Sequence, residues 1–149
     1  MLLRPPASIV LAASLVSLVP LGAAADGIDV VADVASLRSD RGEVRGALYA
    51  SPDGWTNEGR EIATCVAQVV HRQARCVFPD VAPGTYAFAL LHDEDDDGHM
   101  NRDFFGFPQE GFAFSNDAAP GLGPPSFQSA HFTHGQQSTV LHVHARYGL

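Results

Sequence analysis

Alternate aspartates in a short acidic stretch are the residues of this sequence best suited to chemistry. Asp93, Asp95 and Asp97 are spaced by two and are followed by Gly98. Carboxylate oxygens at every second position of a tight turn converge on one point, and the glycine permits the sharp bend. Calcium takes oxygen ligands of this kind. The spacing matches the opening half of an EF-hand-type loop and predicts a calcium site.

The second half of this loop is less complete. His99 would offer its backbone carbonyl at the seventh position, and Asn101 falls at the ninth, where a water often carries the contact. The twelfth position of an EF-hand loop is a bidentate glutamate, but in this sequence it is Phe104, and Asp103 lies one residue earlier. The predicted ligands are therefore Asp93, Asp95, Asp97, His99 through its carbonyl, Asn101 and Asp103. We expect a weak structural site; a hydrated acidic loop that binds no ion is the alternative.

Glu110 follows the acidic stretch and has two possible roles. It either braces the loop by accepting backbone N–H bonds or completes the ion site. The aromatic segment around it, residues 104–114, carries five phenylalanines. We expect this segment to fold back over the edge of the domain as a satellite core, and an exposed binding patch is the alternative.

Histidines offer a second kind of metal site. His142 and His144 share one face of a predicted strand, and His131 and His134 lie in or just after its neighbour. Imidazole pairs suit copper, zinc or nickel. The same strand face carries Arg146 and is expected to be exposed to solvent, so a His-based transition-metal binder is an alternative function behind calcium.

An enzyme is the least supported class. The sequence has no Gly-x-Ser-x-Gly elbow, no His-Glu-x-x-His pair and no phosphate loop. Ser115 and Ser126 can serve as nucleophiles only with partners that the sequence does not place. Glu110 and Asp93 form a carboxylate pair of the kind that any acidic loop produces. A small hydrolase is the second alternative, and no catalytic residue is predicted.

The acidic loop must be positioned by a small domain, because the chain has only 149 residues. Arg4, an apolar run over 7–21 and Ala23-Ala24-Ala25 predict a signal peptide at 1–25 and a periplasmic or extracellular domain at 26–149. An uncleaved membrane anchor is the alternative. Cleavage lowers the net charge from −8 to −9, which disfavours nucleic acid and anionic membranes as partners. We expect no membrane span after cleavage.

Cys65 and Cys76 are the only cysteines. An even count in an exported chain favours a disulfide, and two free thiols are the alternative. A loop of this length, once closed, stabilises a fold by about 3 kcal/mol in the chain-entropy model.

Period-two alternation of apolar residues recurs along the domain and predicts about seven short strands. They are expected near residues 28–34, 44–49, 61–71, 75–78, 85–92, 127–133 and 138–147. The third is ambiguous, and β-branching favours a strand over a short helix; residues 75–78 are expected as its return. Both faces of 85–92 are apolar, which is typical of a central strand. With no long amphipathic helix, the pattern predicts a single antiparallel β-sandwich.

Three sequence runs carry a resemblance to a known family: HDEDDDG from His92, FFGFPQEGFAFSND from Phe104 and GPPSFQSAHF from Gly123. Together they resemble an uncharacterised bacterial exported family, domain of unknown function 2141. Asp95 stands where that family usually has Asn, and Asn101 where Asp is frequent. The resemblance implies an immunoglobulin- or transthyretin-like sandwich and export, but no activity. We therefore expect an exported binding or accessory module for a protein or glycan partner.

Overall fold

A computed structural model describes residues 28–148, which form two β-sheets with almost no helix. The strands are β1 (Val30–Ala35), β2 (Glu43–Tyr49), β3 (Ala63–Gln68), β4 (Ala74–Phe78), β5 (Gly84–Asp93), β6 (Gly111–Phe114), β7 (Phe132–His134) and β8 (Thr139–His144), and the helix α1 is Phe127–Ala130. The predicted leader, residues 1–25, lies outside the described residues. Within them, no helix has the length and apolarity needed to cross a membrane.

The two sheets have the strand orders β4-β1-β8 and β3-β2-β5-β6, and β7 pairs with β5 next to β6. The predicted all-β sandwich is confirmed, with eight strands where about seven were expected. All pairings are antiparallel except that of β1 with β8, which is parallel. The chain passes through the other sheet between these two strands, and such a crossover allows them to run in the same direction.

Alternating side chains from both sheets fill the core. Phe78 of β4 and Phe88 of β5 are almost fully buried, and their rings meet edge to face at 5.9 Å. In β8, Leu141 and Val143 point inward while His142 is exposed, as the period-two pattern predicts. Burial of each large apolar side chain contributes about 1.5–3 kcal/mol. This core fixes β5, whose C-terminal end carries the acidic stretch.

The predicted disulfide is confirmed, but its role in the fold differs from expectation. Cys65 and Cys76 are bonded, with Cα atoms 5.7 Å apart. They lie on β3 and β4, which belong to opposite sheets and do not form the expected hairpin. Val70 and Gln73 pair at a tight turn, where the chain leaves one sheet and enters the other. The disulfide therefore crosslinks the two layers.

Residues 127–133 were predicted as one strand, and this is wrong for the first five. Ser126 caps a short turn of helix, α1, because its hydroxyl accepts a hydrogen bond from the N–H of Ser129. Only Phe132–His134 joins the sheet, as β7. The cap satisfies backbone donors locally, and this outweighs the alternating pattern.

The phenylalanine segment divides into a buried and an exposed part. Phe112 and Phe114 lie on β6 and pack with Trp55 and Ala130 in a second cluster on the outer face of the large sheet. The predicted satellite core is thus present for these two rings. Phe104, Phe105 and Phe107 instead have 96%, 78% and 44% of their surface exposed. They lie in the segment before β6, between Arg102 and Pro108, which pair in an isolated bridge outside the two sheets.

Candidate metal centre and adjoining cleft

The three alternate aspartates converge where β5 ends. Asp93, Asp95 and Asp97 each offer a carboxylate oxygen, and these atoms all lie within 4.8 Å of one another. Asp93 is fully buried and pairs across the sheet with Glu43, whereas Asp95 and Asp97 are exposed. Among the described residues this is the one group of three acidic, histidine or cysteine side chains close enough to hold a metal ion.

Backbone N–H groups hold the buried carboxylate in place. Asp93 accepts hydrogen bonds from the N–H of Asp97 at 3.2 Å and of Gly98 at 2.8 Å, one on each oxygen. Gly98 has a φ of +82°, a conformation that glycine adopts without strain. Asp97 in turn accepts from the N–H of His99 at 2.8 Å. A carboxylate has about four lone-pair sites, so the oxygens of Asp93 keep capacity for a cation.

Two further predicted ligands lie near the group with different contacts. Asn101 donates from its side-chain amide to Asp95 at 2.7 Å, next to the three carboxylates. Asp103 accepts from the N–H groups of Phe105 and Phe107, both at 2.9 Å, and so organises the following turn. It does not belong to the converging group.

Glu110 braces the acidic loop from beneath. It is 4% exposed, and its two carboxylate oxygens accept from the N–H of Glu94 at 2.8 Å and the N–H of Asn101 at 3.1 Å. One side chain thus ties together the two ends of the segment that contains Asp95 and Asp97. Glu110 directly precedes Gly111, the first residue of β6, and this position places its side chain against the loop.

Arg38 anchors Glu94, the residue that directly follows Asp93. The sequence analysis did not single out Arg38. Its guanidinium bonds the carboxylate of Glu94, donates to the carbonyl of Gln109 at 3.0 Å and lies over the ring of Tyr147. This bond lowers the pKa of Glu94 although burial opposes the shift, and the Ser39 hydroxyl adds to the lowering. Burial raises the pKa of Tyr147. These partners lie far apart in the chain, and no local motif marks them.

The carboxylates of the group repel one another. Two unit charges no more than 4.8 Å apart repel by about 1 kcal/mol or more in water, and the repulsion is larger where solvent is excluded. Arg45 offsets a part of this, since its guanidinium lies 4.0 Å from Asp93, but it also pairs with Glu43. A divalent cation among the three carboxylates would remove the remaining repulsion.

The histidines of the alternative metal site are held apart by separate contacts. His134 is buried between Thr139 and the carbonyl of Val81, and His144 pairs with Asp117 at 2.8 Å. His131 contacts the carbonyl of Gln128, and His142 is 75% exposed. The described residues contain no cluster of three ligands that includes them.

The hydroxyls of the two serines considered as nucleophiles make hydrogen bonds to backbone groups. Ser115 is fully buried, and its hydroxyl accepts from the N–H of Phe88 at 2.9 Å and donates to the carbonyl of Ala130. Ser126 caps α1. Neither Ser115 nor Glu110 lines the cleft on the outer face of the large sheet.

A cleft of about 550 Å³ lies on the outer face of the large sheet, next to the acidic loop. Its floor includes Ala47 and Ala89, which pair across β2 and β5 and leave a hollow between larger neighbours. One wall is the segment 98–108 that follows the aspartates; the other includes Glu58, Glu61 and residues 120–124. The acidic loop therefore positions one side of the cleft.

Fold and site together define a β-sandwich module with an acidic loop at the end of its central strand. The sequence profile of a family described as uncharacterized protein conserved in bacteria, domain of unknown function 2141, matches residues 32–142. The chain belongs to this family, as its loop and phenylalanine motifs had indicated. No curated protein and no solved structure matches the chain.

Proposed function

We propose that this protein is an exported binding module in which Asp93, Asp95 and Asp97 hold a calcium ion that orders one wall of the cleft. The proposal assigns it no catalytic role. The observation that carries it is the convergence of three carboxylate oxygens within 4.8 Å, one of them on a buried side chain. Calcium favours several oxygen ligands in a flexible geometry, which suits carboxylates on a turn.

The remaining ligands of the proposed site come from the same turn. The backbone carbonyl of His99 and the side-chain oxygen of Asn101 complete the coordination together with water. With no bidentate glutamate in the twelfth position, the dissociation constant is expected in the range of about 0.1–1 mM, typical of extracellular modules. A site of this affinity would be occupied outside the cytoplasm and would serve structure, not signalling.

Calorimetric and thermal-melt titrations with Ca²⁺ test the proposal. Calcium should bind the purified protein and raise its melting temperature, because an ion that binds only the folded state stabilises it. The variant Asp97→Asn should weaken binding several-fold. Asp96→Asn is the matched control: Asp96 is exposed in the same loop, has a φ of +60° that asparagine tolerates, and lies outside the group. Absence of binding below about 10 mM Ca²⁺, with no shift in melting temperature, would contradict the site.

Export and the partner class form the second part of the proposal. A disulfide between the sheets is typical of a protein that folds in an oxidising compartment, and we place the protein in the periplasm or outside the cell. Phe104 and Leu122 are almost fully exposed and Phe105 is largely exposed, and Phe105 and Leu122 line the cleft. A group of exposed apolar side chains marks an interaction surface, and of the two expected partner classes this favours a protein over a glycan.

A further inference from the structure

The strand β3 lies at the edge of the large sheet and pairs on one side only. The strand order is β3-β2-β5-β6, and the register joins Ala63–Gln68 to β2. In an antiparallel edge strand, every second residue directs its backbone N–H and C=O away from the sheet. In the part of the chain that the structure describes, no strand pairs with this outer side of β3.

The strands β8, β6 and β4 also lie at sheet edges, but each is covered or carries a charged side chain. On β8, the N–H of His144 donates to the side chain of Asp117 at 2.8 Å. On β6, Phe112 exchanges two backbone hydrogen bonds with Arg146, at 2.9 and 2.8 Å. On β4, the exposed Arg75 places a charge on the strand. Devices of this kind keep the edge of a sheet from pairing with another chain.

No such device protects β3. Residues 62–70 read IATCVAQVV, a run without a charged residue, proline or glycine. Ile62, Val66 and Val70 are 52%, 56% and 60% exposed. An uncharged edge strand with exposed β-branched side chains is a template for pairing with a further strand. The outer side of β3 is therefore the open docking edge of this sandwich.

The charges that flank β3 favour a second copy of the chain as the partner. Glu58 and Glu61 precede the strand, and the exposed Arg72 follows it. Arg60 also precedes the strand, but Asp53 neutralises it at 2.7 Å. Two antiparallel copies of β3 bring the acidic start of each strand against the basic end of the other.

The side chains of β3 are complementary to themselves in the same arrangement. With Thr64 on the two-fold axis, Ile62 of each copy lies opposite Val66 of the other. Pairs of β-branched apolar residues directly opposite each other stabilise neighbouring strands. The exposed positions of β3 carry no charge that such a pairing would bury.

We infer that two copies of this protein associate by antiparallel pairing of β3 with β3 about a two-fold axis near Thr64. The inference goes beyond the proposed calcium site and does not depend on it. The pairing is isologous and continues the large sheet from one copy into the other. Because the axis of an antiparallel strand pair is perpendicular to the sheet, both clefts open on the same face, where they can engage two sites of one partner.

Sedimentation velocity of the purified, disulfide-bonded protein tests the association. The dimer is expected to be weak, because one strand pair buries a small area and each copy carries a net charge of −8. At about 0.15 M salt, which screens this repulsion, the mean mass should rise towards twice that of the monomer between about 5 µM and about 500 µM protein.

Hydrogen exchange locates the contact at these same concentrations. The outward amides of Ala63–Gln68 should exchange more slowly in the concentrated sample, because they gain partners in the dimer. The amides of Ala74–Phe78, at the edge of the other sheet, should exchange equally fast in both samples.

The variant Val66→Lys should weaken dimerisation by about tenfold or more, because pairing would bury the ammonium group against Ile62 of the other copy. Val77→Lys is the matched control: it makes the same change at a 43% exposed position on β4 and should leave dimerisation unchanged. Thermal melts verify that both variants fold, and the exchange measurement on the wild type decides the location of the contact without them.

A protein that stays monomeric over the whole concentration range would overturn the inference and leave the calcium site and the cleft as proposed. A dimer that Val66→Lys does not weaken, or that Val77→Lys weakens equally, would overturn it as well. The blocked peptide Val-Thr-Val-Thr-Val tests the other occupant. Slower exchange at β3 with this peptide, in a protein that alone remains monomeric, would assign the edge to a strand of a different protein and overturn the self-pairing.

Discussion

The hydroxyl of Tyr147 lies 2.6 Å from Nδ1 of His92, the buried residue directly before the first aspartate of the loop. Nε2 of His92 lies 2.9 Å from the carbonyl oxygen of Arg41. Because a carbonyl oxygen only accepts, Nε2 carries the proton, and Nδ1 accepts from the tyrosine. The hydroxyl also accepts from the N–H of Arg38 at 2.9 Å. The C-terminal end of the chain thus fixes the base of the acidic loop.

Tyr147→Phe should lower the free energy of unfolding by about 1–3 kcal/mol, because it leaves Nδ1 of the buried His92 without a donor. Urea unfolding measures the change. Tyr49→Phe is the control, since the hydroxyl of Tyr49 makes no hydrogen bond to another described residue although the side chain is 6% exposed. If both variants lose the same stability, the hydrogen bond to His92 contributes nothing specific.

Glu110→Gln should loosen the acidic loop. Glutamine keeps one acceptor oxygen and replaces the other with a donor, so either the N–H of Glu94 or that of Asn101 loses its partner. We expect a loss of about 1–3 kcal/mol and faster hydrogen exchange at these two amides. Glu58→Gln makes the same chemical change at an exposed position and should leave both amides protected. Unchanged exchange in Glu110→Gln would show that the brace is not needed.

The pair between Arg38 and Glu94 predicts a pH dependence of stability. The bond lowers the pKa of Glu94 below its ordinary value of 4.5, so the folded state holds the ionised form more strongly than the unfolded state does. The stabilisation from this pair is fully present above pH 4.5. It is lost as the pH falls through the lower pKa of Glu94 in the folded state. The difference in unfolding free energy between the wild type and Glu94→Gln, measured from about pH 7 down to about pH 3, should therefore shrink below 4.5. A difference that is constant over this range would contradict the pairing.

Local patterns in the sequence predict the parts of this protein that depend on neighbouring residues. Alternation identified β8 and the central strand β5, and the spacing of Asp93, Asp95 and Asp97 predicted their convergence, because a tight turn brings alternate residues together whatever the rest of the fold does. By contrast, β6 has only four residues, all of them apolar, and periodicity alone does not assign so short an apolar run to a strand.

Contacts between distant residues could not be read from the sequence in the same way. The partners His92 and Tyr147 are 55 residues apart, and Arg38 and Glu94 are 56 apart. The cleft likewise depends on the register that sets Ala47 opposite Ala89, and two alanines in two strands carry no sign of a hollow. The parallel pairing of β1 with β8 arises from the path of the whole chain.

The crosslink between the sheets predicts that oxidation is required for full stability. Cys65 on β3 and Cys76 on β4 close a loop with a sequence separation of 11, and opening it restores conformational freedom to the unfolded chain worth about 3 kcal/mol. The double variant Cys65→Ala/Cys76→Ala and the reduced wild-type protein should both unfold at lower urea concentration, with the double variant lower because it also loses two buried or half-buried sulfur atoms. Urea unfolding of the oxidised protein, with and without a thiol reductant, measures this directly. If reduction leaves the midpoint unchanged, packing alone holds β3 against β4, and the bridge does not stabilise the fold.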